Sequence, residues 1–408
     1  IRVLKANEVL NISKPIKSLV GLLTMVQNAS LDYAENYNSR LPGFMSGVRF
    51  IDKDFNGFAP GFDYAIGKQP DSNWLNTQER KGLFTKDANF NLLFRQGFEQ
   101  RLSIRFMLEP IKTFIIDLKF DKTFSKEYSE FFKDTTEKMN GYRTHNNPLS
   151  AGGFNISFIA LRTFFNKHDP NTISKQFIKF QDNRSAISKK VAGLNYYWDN
   201  LLPPDQKFDS TNTYATGYGK YAQDVLIPSF LAAYTGKDPM RVNLLNQTNS
   251  NIRSNPFSGM LPMPNWNLLY NGLSNIPGLS EVFSNISLTH GYNGSLSMNS
   301  FSSSLLYADE SRYSAPSFLD PVSKNYVPYF LIPNVTISER MEPLIGLNVT
   351  TVSQWSIRFE YKKSRILALS LVDYQLSENN STEWVVGTSF RKRGLKLPFN
   401  IPGLNNNK

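Results

Sequence analysis

Residues 101–121 read RLSIRFMLEPIKTFIIDLKFD and alternate between polar and apolar side chains on both sides of Pro110. Alternation with a period of two is typical of a β-strand with two different faces, because successive side chains of a strand point to opposite sides of its sheet. Proline cannot donate to a strand ladder and suits a tight turn. The stretch therefore predicts a β-hairpin with one apolar face and one polar face.

The same alternation recurs in two central stretches, residues 154–160 and 286–298. The second stretch contains Asn293-Gly294. Asn-Gly between alternating runs favours a type I′ turn, which needs a positive φ at both central positions. We therefore predict another hairpin turn at Asn293-Gly294 and an all-β, antiparallel fold.

The C-terminal stretch 354–392 has the most regular alternation. Lys362-Lys363-Ser364 and Asn379-Asn380-Ser381 interrupt it with polar residues that suit turns. The pattern predicts a three-strand meander with Trp355 and Trp384 on its apolar face.

Two long connections separate the predicted strands. Residues 36–89 are rich in Gly, Phe, Pro and Asp, and residues 165–281 contain apolar residues at helical spacing near 175–190 and 221–234. Pro228 is expected to kink or split the second helix. Long structured connections are uncommon in compact domains and are usually functional.

These observations divide the chain into three parts. Residues 1–164 are predicted to hold strands and a long loop, and residues 282–408 further strands. Residues 165–281 are predicted to form a mixed helical and irregular insertion that acts as a cap or as an element within a lumen.

Composition limits the functional classes. The chain has 408 residues, a formal net charge of +11 and 40% hydrophobic residues, so it can bury a large core. Cysteine is absent and there are only three histidines, which excludes disulfides and cysteine nucleophiles and leaves little for a histidine-rich metal centre. The apolar stretch 19–26 is far shorter than a helical span of about 20 residues, so a membrane location would require a β-barrel.

No motif predicts catalysis or a bound cofactor. Asp373, Glu378 and Glu383 lie close in sequence but are typical of turn carboxylates. Residues 213–219 contain glycines without the lysine and spacing of a phosphate loop, and His290 lies inside a predicted strand. The basic residues are dispersed and belong to no recognisable nucleic-acid-binding module. We therefore predict no catalytic residue, no cofactor, no metal site and no nucleic-acid partner.

The alternating faces are compatible with two architectures. A soluble antiparallel sheet packs its apolar face on a core and leaves the polar face in water. A transmembrane barrel presents an apolar outer band to lipid and polar side chains to its lumen. Aromatic residues near strand ends fit an interfacial girdle and a soluble core nearly equally well. The alternation alone therefore leaves both architectures open.

Several segments, in this order along the chain, resemble one known family. They are Leu41-Pro42-Gly43-Phe44, Asn183-Arg184 with Ile187-Ser188, residues 218–234 with Gly236-Lys237-Asp238-Pro239, residues 261–266, Tyr270-Asn271-Gly272-Leu273, and Leu288-Thr289-His290-Gly291-Tyr292. Together they resemble the SprA (Sov) family, the outer-membrane translocon of the type 9 secretion system of Bacteroidetes. The resemblance extends over most of residues 1–408, and the order of the segments matters more than any single motif.

The resemblance implies that the chain is a late part of a much longer protein, which agrees with its start at Ile1 and its loop-like last residues. It implies an antiparallel transmembrane β-barrel segment of a very large barrel in the bacterial outer membrane, with long, partly helical insertions. It also implies export of folded cargo proteins that have a C-terminal signal and, in gliding species, delivery of surface adhesins. The implied partners are the cargo, a shuttle barrel at a lateral opening, a periplasmic plug, the motor components of the secretion system and outer-membrane lipid.

A wide lumen must be wet and non-adhesive, so the polar strand positions are expected to face it. Candidate lumen-facing residues are Arg101, Arg105, Asp117, Lys119, Asn155, Ser157, Gln354, Arg358 and Glu360. Candidate lipid-facing residues are Phe106, Ile116, Phe158, Ile357 and Leu369. In a simple up-and-down barrel, all short turns lie at one end, and the connection 165–281 and the predicted turn at Asn293-Gly294 together conflict with this. We therefore expect either strands that the pattern does not reveal or large insertions at both ends of the barrel.

Two other functions stay open at this level. One is a different outer-membrane barrel, such as a receptor or a porin. The other is a soluble all-β domain that binds or hydrolyses carbohydrate. The partner of the apolar face distinguishes them, because a barrel places that face against lipid and a soluble domain packs it on a core.

Overall fold

The computed structural model describes residues 25–45, 69–87, 89–133, 144–167, 171–247, 249, 251–308 and 316–391. The strands are β1 (Val26–Arg40), β2 (Phe94–Ile111), β3 (Phe114–Lys133), β4 (Thr144–Ser157), β5 (Asn265–Tyr270), β6 (Phe283–Ser303), β7 (Phe330–Leu331), β8 (Asn334–Thr351), β9 (Trp355–Ser370) and β10 (Leu376–Phe390). The α-helices are α1 (Ser72–Arg80), α2 (Leu161–Phe164), α3 (Lys175–Ala192), α4 (Gln223–Thr235) and α5 (Leu279–Val282). Within these ranges, no helix has both the length and the apolar composition needed to cross a membrane.

All ten strands belong to one antiparallel sheet with the order β1-β2-β3-β4-β6-β8-β9-β10, with β5 beside β3 and β6, and β7 beside β6. The predicted antiparallel, mainly β architecture is confirmed. The predicted hairpin at 101–121 is also present, with residues 112–113 as its turn, and its strands extend to Phe94 and Lys133.

The two helices predicted within the long connection are present. Helix α3 begins at Lys175, where the predicted segment begins, and Ser174 caps it by accepting a hydrogen bond from the Phe177 backbone N–H. Helix α4 contains Pro228 but is not split there. Its residues from Asp224 to Thr235 are buried, so packing on every side holds the helix together despite the missing backbone donor.

Strands β4 and β5 together occupy one strand position of the sheet, which we call a line, although residues 158–264 separate them in sequence. β4 pairs with the Lys122–Lys133 half of β3, and β5 runs in the same direction along the Phe114–Lys119 half. On the other side, β6 pairs with both strands. The chain therefore leaves the sheet in the middle of a strand and returns to the same line.

The ends of this excursion are held together. The Met263 N–H donates to the Ser157 carbonyl at 2.9 Å, and the Ser157 hydroxyl donates to the Met263 carbonyl at 2.7 Å. The insertion is therefore residues 158–264 rather than the predicted 165–281. Residues 265–270, which the prediction included, are a strand of the sheet.

The hairpin turn predicted at Asn293-Gly294 is wrong, because both residues lie inside the continuous strand β6. Gly294 pairs with Glu339 of β8, and its carbonyl accepts a hydrogen bond from the Phe158 backbone N–H at 2.9 Å. A Cβ atom on Gly294 would lie 2.1 Å from the Phe158 carbonyl oxygen. The glycine is required there by a close backbone approach and not by a positive φ.

The predicted three-strand meander consists of two longer strands, β9 and β10. Residues 362–364 and 379–381 lie inside these strands, and the turn is at 371–375. On β9, the polar residues 362–364 lie where the strand passes from an uncovered to a covered stretch, as described below.

With these corrections, the eight long lines of the sheet alternate strictly up and down. The connections at one end, which we name the short-turn end, are residues 112–113, 271–282 and 352–354. Those at the other end, the long-loop end, are residues 41–93, 134–143, 304–333 and 371–375.

The described parts of residues 158–264 and 304–333 pack together on one face of the sheet, and we name them the covering layer. The main core lies between this layer and the long-loop half of the sheet. It contains Phe124, Leu296 and Leu367 from the sheet and Leu226 and Phe230 from α4, all of them at most 3% exposed. A smaller cluster beside it packs α1 against the long-loop ends of β2 and β3.

Candidate membrane-facing surface

One face of the sheet is buried near the long-loop end and uncovered near the short-turn end. Strand β9 shows the change along a single row of side chains, since its odd-numbered residues share a face. Trp355 and Ile357 are 48% and 46% exposed, whereas Arg365, Leu367 and Leu369 are at most 2% exposed. The covering layer therefore hides only part of this face.

Near the short-turn end, the uncovered part of this face is almost entirely apolar, and we name it the apolar band. Strand register places its members on one face, and each is half-buried or exposed. They are Leu31, Tyr33, Leu102, Ile104, Phe106, Leu108, Phe114, Ile116, Leu118, Phe120, Trp266, Leu268, Tyr270, Leu288, Ile345, Leu347, Val349, Trp355, Ile357, Phe359, Tyr361, Trp384, Val386 and Phe390.

Aromatic residues lie at both limits of the apolar band. At the limit near the short-turn end, the ring centroids of Trp355 and Phe390 are 4.7 Å apart. At the opposite limit, which we name the upper border, those of Tyr361 and Trp384 are 4.3 Å apart. Trp355 and Tyr361 are separated by about 20 Å of strand at roughly 3.4 Å per residue. Aromatic residues at each edge of an apolar band are also found on the lipid-facing surface of outer-membrane barrels.

The opposite face of the sheet is polar along the same strands, and we name it the polar face. Arg105 donates from Nε to Asp117 Oδ1 at 2.8 Å, and Arg358 donates from Nε to Glu360 Oε1 at 2.7 Å. Lys119 lies 3.2 Å from Asp121. These charged side chains form ion pairs with one another on the polar face.

Eight of the nine candidate lumen-facing residues lie on the polar face. They are Arg101, Arg105, Asp117, Lys119, Asn155, Ser157, Arg358 and Glu360. Gln354 does not, because it is in the turn between β8 and β9 with a φ of 67°.

Two concavities lie on the polar face. The larger has a volume of about 510 Å³ and extends over β1, β2, β3, β4 and β6. The second, of about 290 Å³, lies nearer the short-turn end and is lined by Asp117, Lys119 and Arg340, among others. The sheet is thus indented on its polar side.

Three of the five candidate lipid-facing residues, Phe106, Ile116 and Ile357, lie in the apolar band. The other two assignments are wrong. Phe158 is 7% exposed and Leu369 is 1% exposed, and both belong to the core beneath the covering layer. A period of two in sequence identifies the apolar face of a strand but does not indicate where along the strand another layer covers that face.

A buried ionic cluster joins the insertion to the sheet. Arg365 of β9 donates from Nε to Glu339 Oε2 of β8 at 3.1 Å and makes a second, shorter contact through Nη2. The other carboxylate oxygen of Glu339 accepts from the Tyr292 hydroxyl at 2.8 Å and from the Ala160 backbone N–H at 3.0 Å. Because Ala160 precedes α2, the cluster fixes the point where the insertion begins.

The same arginine reaches further into the insertion. Its Nη1 donates to the Thr163 hydroxyl at 3.1 Å, and its Nη2 donates to the Ala160 carbonyl at 3.3 Å. Thr163 in turn donates to the Tyr234 carbonyl at the end of α4 at 2.5 Å. Arg365 and Glu339 are 2% and 0% exposed, so each depends on the other to offset the cost of its burial.

Sequence reasoning did not identify this cluster. The alternation of the strands does contain an indication of it. Glu339 occupies the apolar-face position between Ile337 and Met341, and Arg365 occupies the one between Lys363 and Leu367. A charge at such a position is costly unless it has a partner on a neighbouring strand.

Within the insertion, Asp224 is a buried carboxylate. Its Oδ1 accepts from Gln247 Nε2 at 2.6 Å, and the side chain is 8% exposed. Burial raises the pKa of Asp224 to about 6, and the hydrogen bond from Gln247 partly opposes this effect. Between pH 4 and pH 6, Asp224 is therefore mostly protonated in the folded protein and mostly ionised in the unfolded chain.

We expect the insertion to become less stable as pH rises from about 4 to about 6 and then to stay constant. The shift in the pKa of Asp224 from 3.8 to about 6 corresponds to about 3 kcal/mol. Asp224→Asn should remove this pH dependence and stabilise the insertion at pH 7. The temperature at which added protease first cleaves the insertion, measured at pH 4.5 and pH 7, tests this. A wild-type temperature that is equal at both values would contradict it.

A scan against protein-family models found no family that matches this chain. A search of curated proteins likewise found no similar sequence.

Proposed function

We propose that this chain is a section of the wall of a large outer-membrane β-barrel, with the apolar band against lipid and the polar face toward a water-filled lumen. The observation that supports this most directly is a single sheet face with an uncovered apolar band on all eight lines, bounded on β9 and β10 by aromatic residues at both limits. Monomeric soluble proteins rarely expose contiguous apolar patches beyond a few hundred Å², and larger patches mark interaction or membrane surfaces.

Three further features support a wall of this orientation. The polar face has two concavities, which is compatible with a side that faces a lumen. The connections at one end are 2, 12 and 3 residues long, whereas those at the other end include two that span 53 and 30 residues, an asymmetry like that of periplasmic turns and extracellular loops. Strands β1 and β10 each pair with only one described strand, so a closed wall would need further strands.

This orientation places the covering layer on the outer side of the wall. The layer lies on the same face as the apolar band, displaced toward the long-loop end. It would stand above the lipid surface, outside the barrel, and not as a plug within the lumen.

The particular barrel we propose is the protein-conducting pore of the type 9 secretion system, without catalytic activity. The support for this step is the resemblance to the SprA family together with long strands and a charged, uninterrupted polar face. On this proposal the lumen passes folded cargo with a C-terminal signal and, in gliding species, surface adhesins. The shuttle barrel, the periplasmic plug and the motor components would bind elsewhere on the full-length protein.

The orientation is testable because residues 1–408 contain no cysteine, so an introduced thiol is the only one in this section of the wall. Val386 and Ser389 lie on opposite faces of β10, and both are exposed in this chain. We expect a charged, water-soluble maleimide to label Ser389→Cys in isolated outer membranes and to leave Val386→Cys unlabelled until detergent is added. A soluble domain would react equally at both positions.

A second readout addresses protein export. A bulky polyethylene-glycol maleimide attached at Ser389→Cys should narrow the lumen and reduce the release of cargo into the medium. The unlabelled variant and a labelled variant in the exposed turn, Val372→Cys, are the controls. Undiminished release after complete labelling of Ser389→Cys would contradict a protein-conducting lumen and favour an ordinary barrel.

A further inference from the structure

A cleft of about 220 Å³ opens at the upper border of the apolar band. Ile156 of the wall and Phe158, Leu231 and Met260 of the insertion form its apolar lining. Leu261 also lines the cleft and is 82% exposed. An apolar side chain this exposed, next to the band, extends the apolar surface of the wall into the cleft.

The cleft adjoins the aromatic residues of the upper border. Met263 lines it and is three residues before Trp266, whose ring stacks on that of Tyr292 at 4.6 Å. Ile156 on its floor pairs directly with Lys122 of β3, which is two residues beyond Phe120 on the same face. The cleft therefore lies where the apolar band ends and the covering layer begins.

Cations surround the opening of this cleft. Lys237 and Arg241 line it and are exposed, and Lys122 lies beside its floor. In the described part of the chain, none of the three forms an ion pair, and no carboxylate lines the cleft. The neighbouring carboxylate of Asp238 accepts from the Met240 backbone N–H at 2.8 Å.

A fourth cation lies on the same face of the sheet, several strands away on β9. Lys363 is two residues beyond Tyr361 on β9, as Lys122 is two residues beyond Phe120 on β3. Its ammonium lies over the rings of Phe164 and Phe165, 5.2 and 5.1 Å from their centroids. Positive charge thus follows the upper border at more than one strand.

We propose that the cleft binds one anionic phospholipid of the surrounding bilayer. An acyl chain would extend from the apolar band onto the cleft floor, and the phosphate would contact Lys237, Arg241 and Lys122. Charge-assisted contacts between cations and phosphate are stronger than neutral hydrogen bonds, and burial of the chain adds an apolar contribution that free phosphate lacks. This inference rests on the proposed membrane orientation of the wall.

The test uses the full-length protein purified from outer membranes in a non-ionic detergent and dioleoylphosphatidylglycerol as the probe. Native mass spectrometry or titration with a fluorescent analogue measures its binding. We expect Lys237→Gln with Arg241→Gln to weaken binding by roughly tenfold or more, since each removes a charged hydrogen-bond donor. Lys175→Gln with Lys179→Gln removes the same charge from exposed positions of α3 and should change nothing.

Leu261→Asn provides an independent variant. Because Leu261 is 82% exposed, its replacement should leave folding intact and still weaken lipid binding. Equal binding by the wild type and both cleft variants would overturn the inference. Displacement by inorganic phosphate as effective as displacement by lipid would overturn it as well, because the acyl chain would then contribute nothing.

The labelling of Val386→Cys and Ser389→Cys separates the two proposals. If the band is protected in the membrane but the cleft variants bind lipid normally, only the lipid site fails. If the band is labelled in intact membranes, the wall proposal itself fails, whatever the titration gives.

Discussion

Ile357→Arg is expected to prevent the protein from accumulating in the outer membrane. Ile357 lies inside the apolar band, with Val349 of β8 and Thr388 of β10 as its cross-strand neighbours. An arginine on the lipid face of a barrel costs about 2–4 kcal/mol at the bilayer midplane and about 0–1 kcal/mol near the interfaces, and Ile357 lies between the two, one same-face position from Trp355. In a soluble domain the same change would be nearly neutral, within about 0.5 kcal/mol, because the side chain is 46% exposed.

The adjacent substitution, Ser356→Arg, is the matched control. It adds the same side chain to the same strand but on the polar face, where Arg358 already lies. Quantification of each variant in fractionated outer membranes is the measurement. If both variants reach the wild-type level, the apolar band is not in lipid. Phe158→Arg would not serve this purpose, because Phe158 belongs to the core and its loss would unfold the insertion in either environment.

Arg365→Met is expected to release the insertion from the wall. The substitution leaves the Glu339 carboxylate buried at 0% exposure without its counter-charge. Removing one partner of a buried ion pair typically costs about 3–5 kcal/mol. We expect added protease to cleave the insertion at a clearly lower temperature than in the wild type, in isolated outer membranes.

The double variant Arg365→Met with Glu339→Gln tests the cause. The glutamine keeps an acceptor for the Tyr292 hydroxyl and the Ala160 N–H but carries no charge. It should therefore recover most of the lost stability. A double variant as unstable as Arg365→Met would show that the lost packing and hydrogen bonds of the arginine, and not an uncompensated charge, cause the effect.

The sequence predicted the faces of the strands better than their ends. Alternation at 101–121 correctly assigned Phe106 and Ile116 to one face and Arg105 and Asp117 to the other, because the period of a strand is a local property. The helix predicted near 175–190 from its apolar spacing is also present, as Lys175–Ala192.

Several of the errors depend on a second layer that local patterns do not report. The covering layer lies over the long-loop half of the sheet, so Leu369, which the alternation predicted to face lipid, is buried in the core. It also permits buried Arg365 next to Lys363 in a stretch that otherwise resembles a turn. Gly294 was misread for the same reason, because the constraint on it comes from Phe158, far away in sequence.

The insertion within a strand has a consequence for how the protein folds. The two halves of the β4–β5 line must enter the same gap between β3 and β6, although residues 158–264 separate them. If that segment were still unfolded, closing the loop would cost roughly 4 kcal/mol of chain entropy. Prior folding of the insertion, with Ser157 and Met263 hydrogen-bonded at its base, would remove most of this cost. Folding of residues 158–264 should therefore precede the pairing of β5, and slow folding of this segment would delay closure of the sheet.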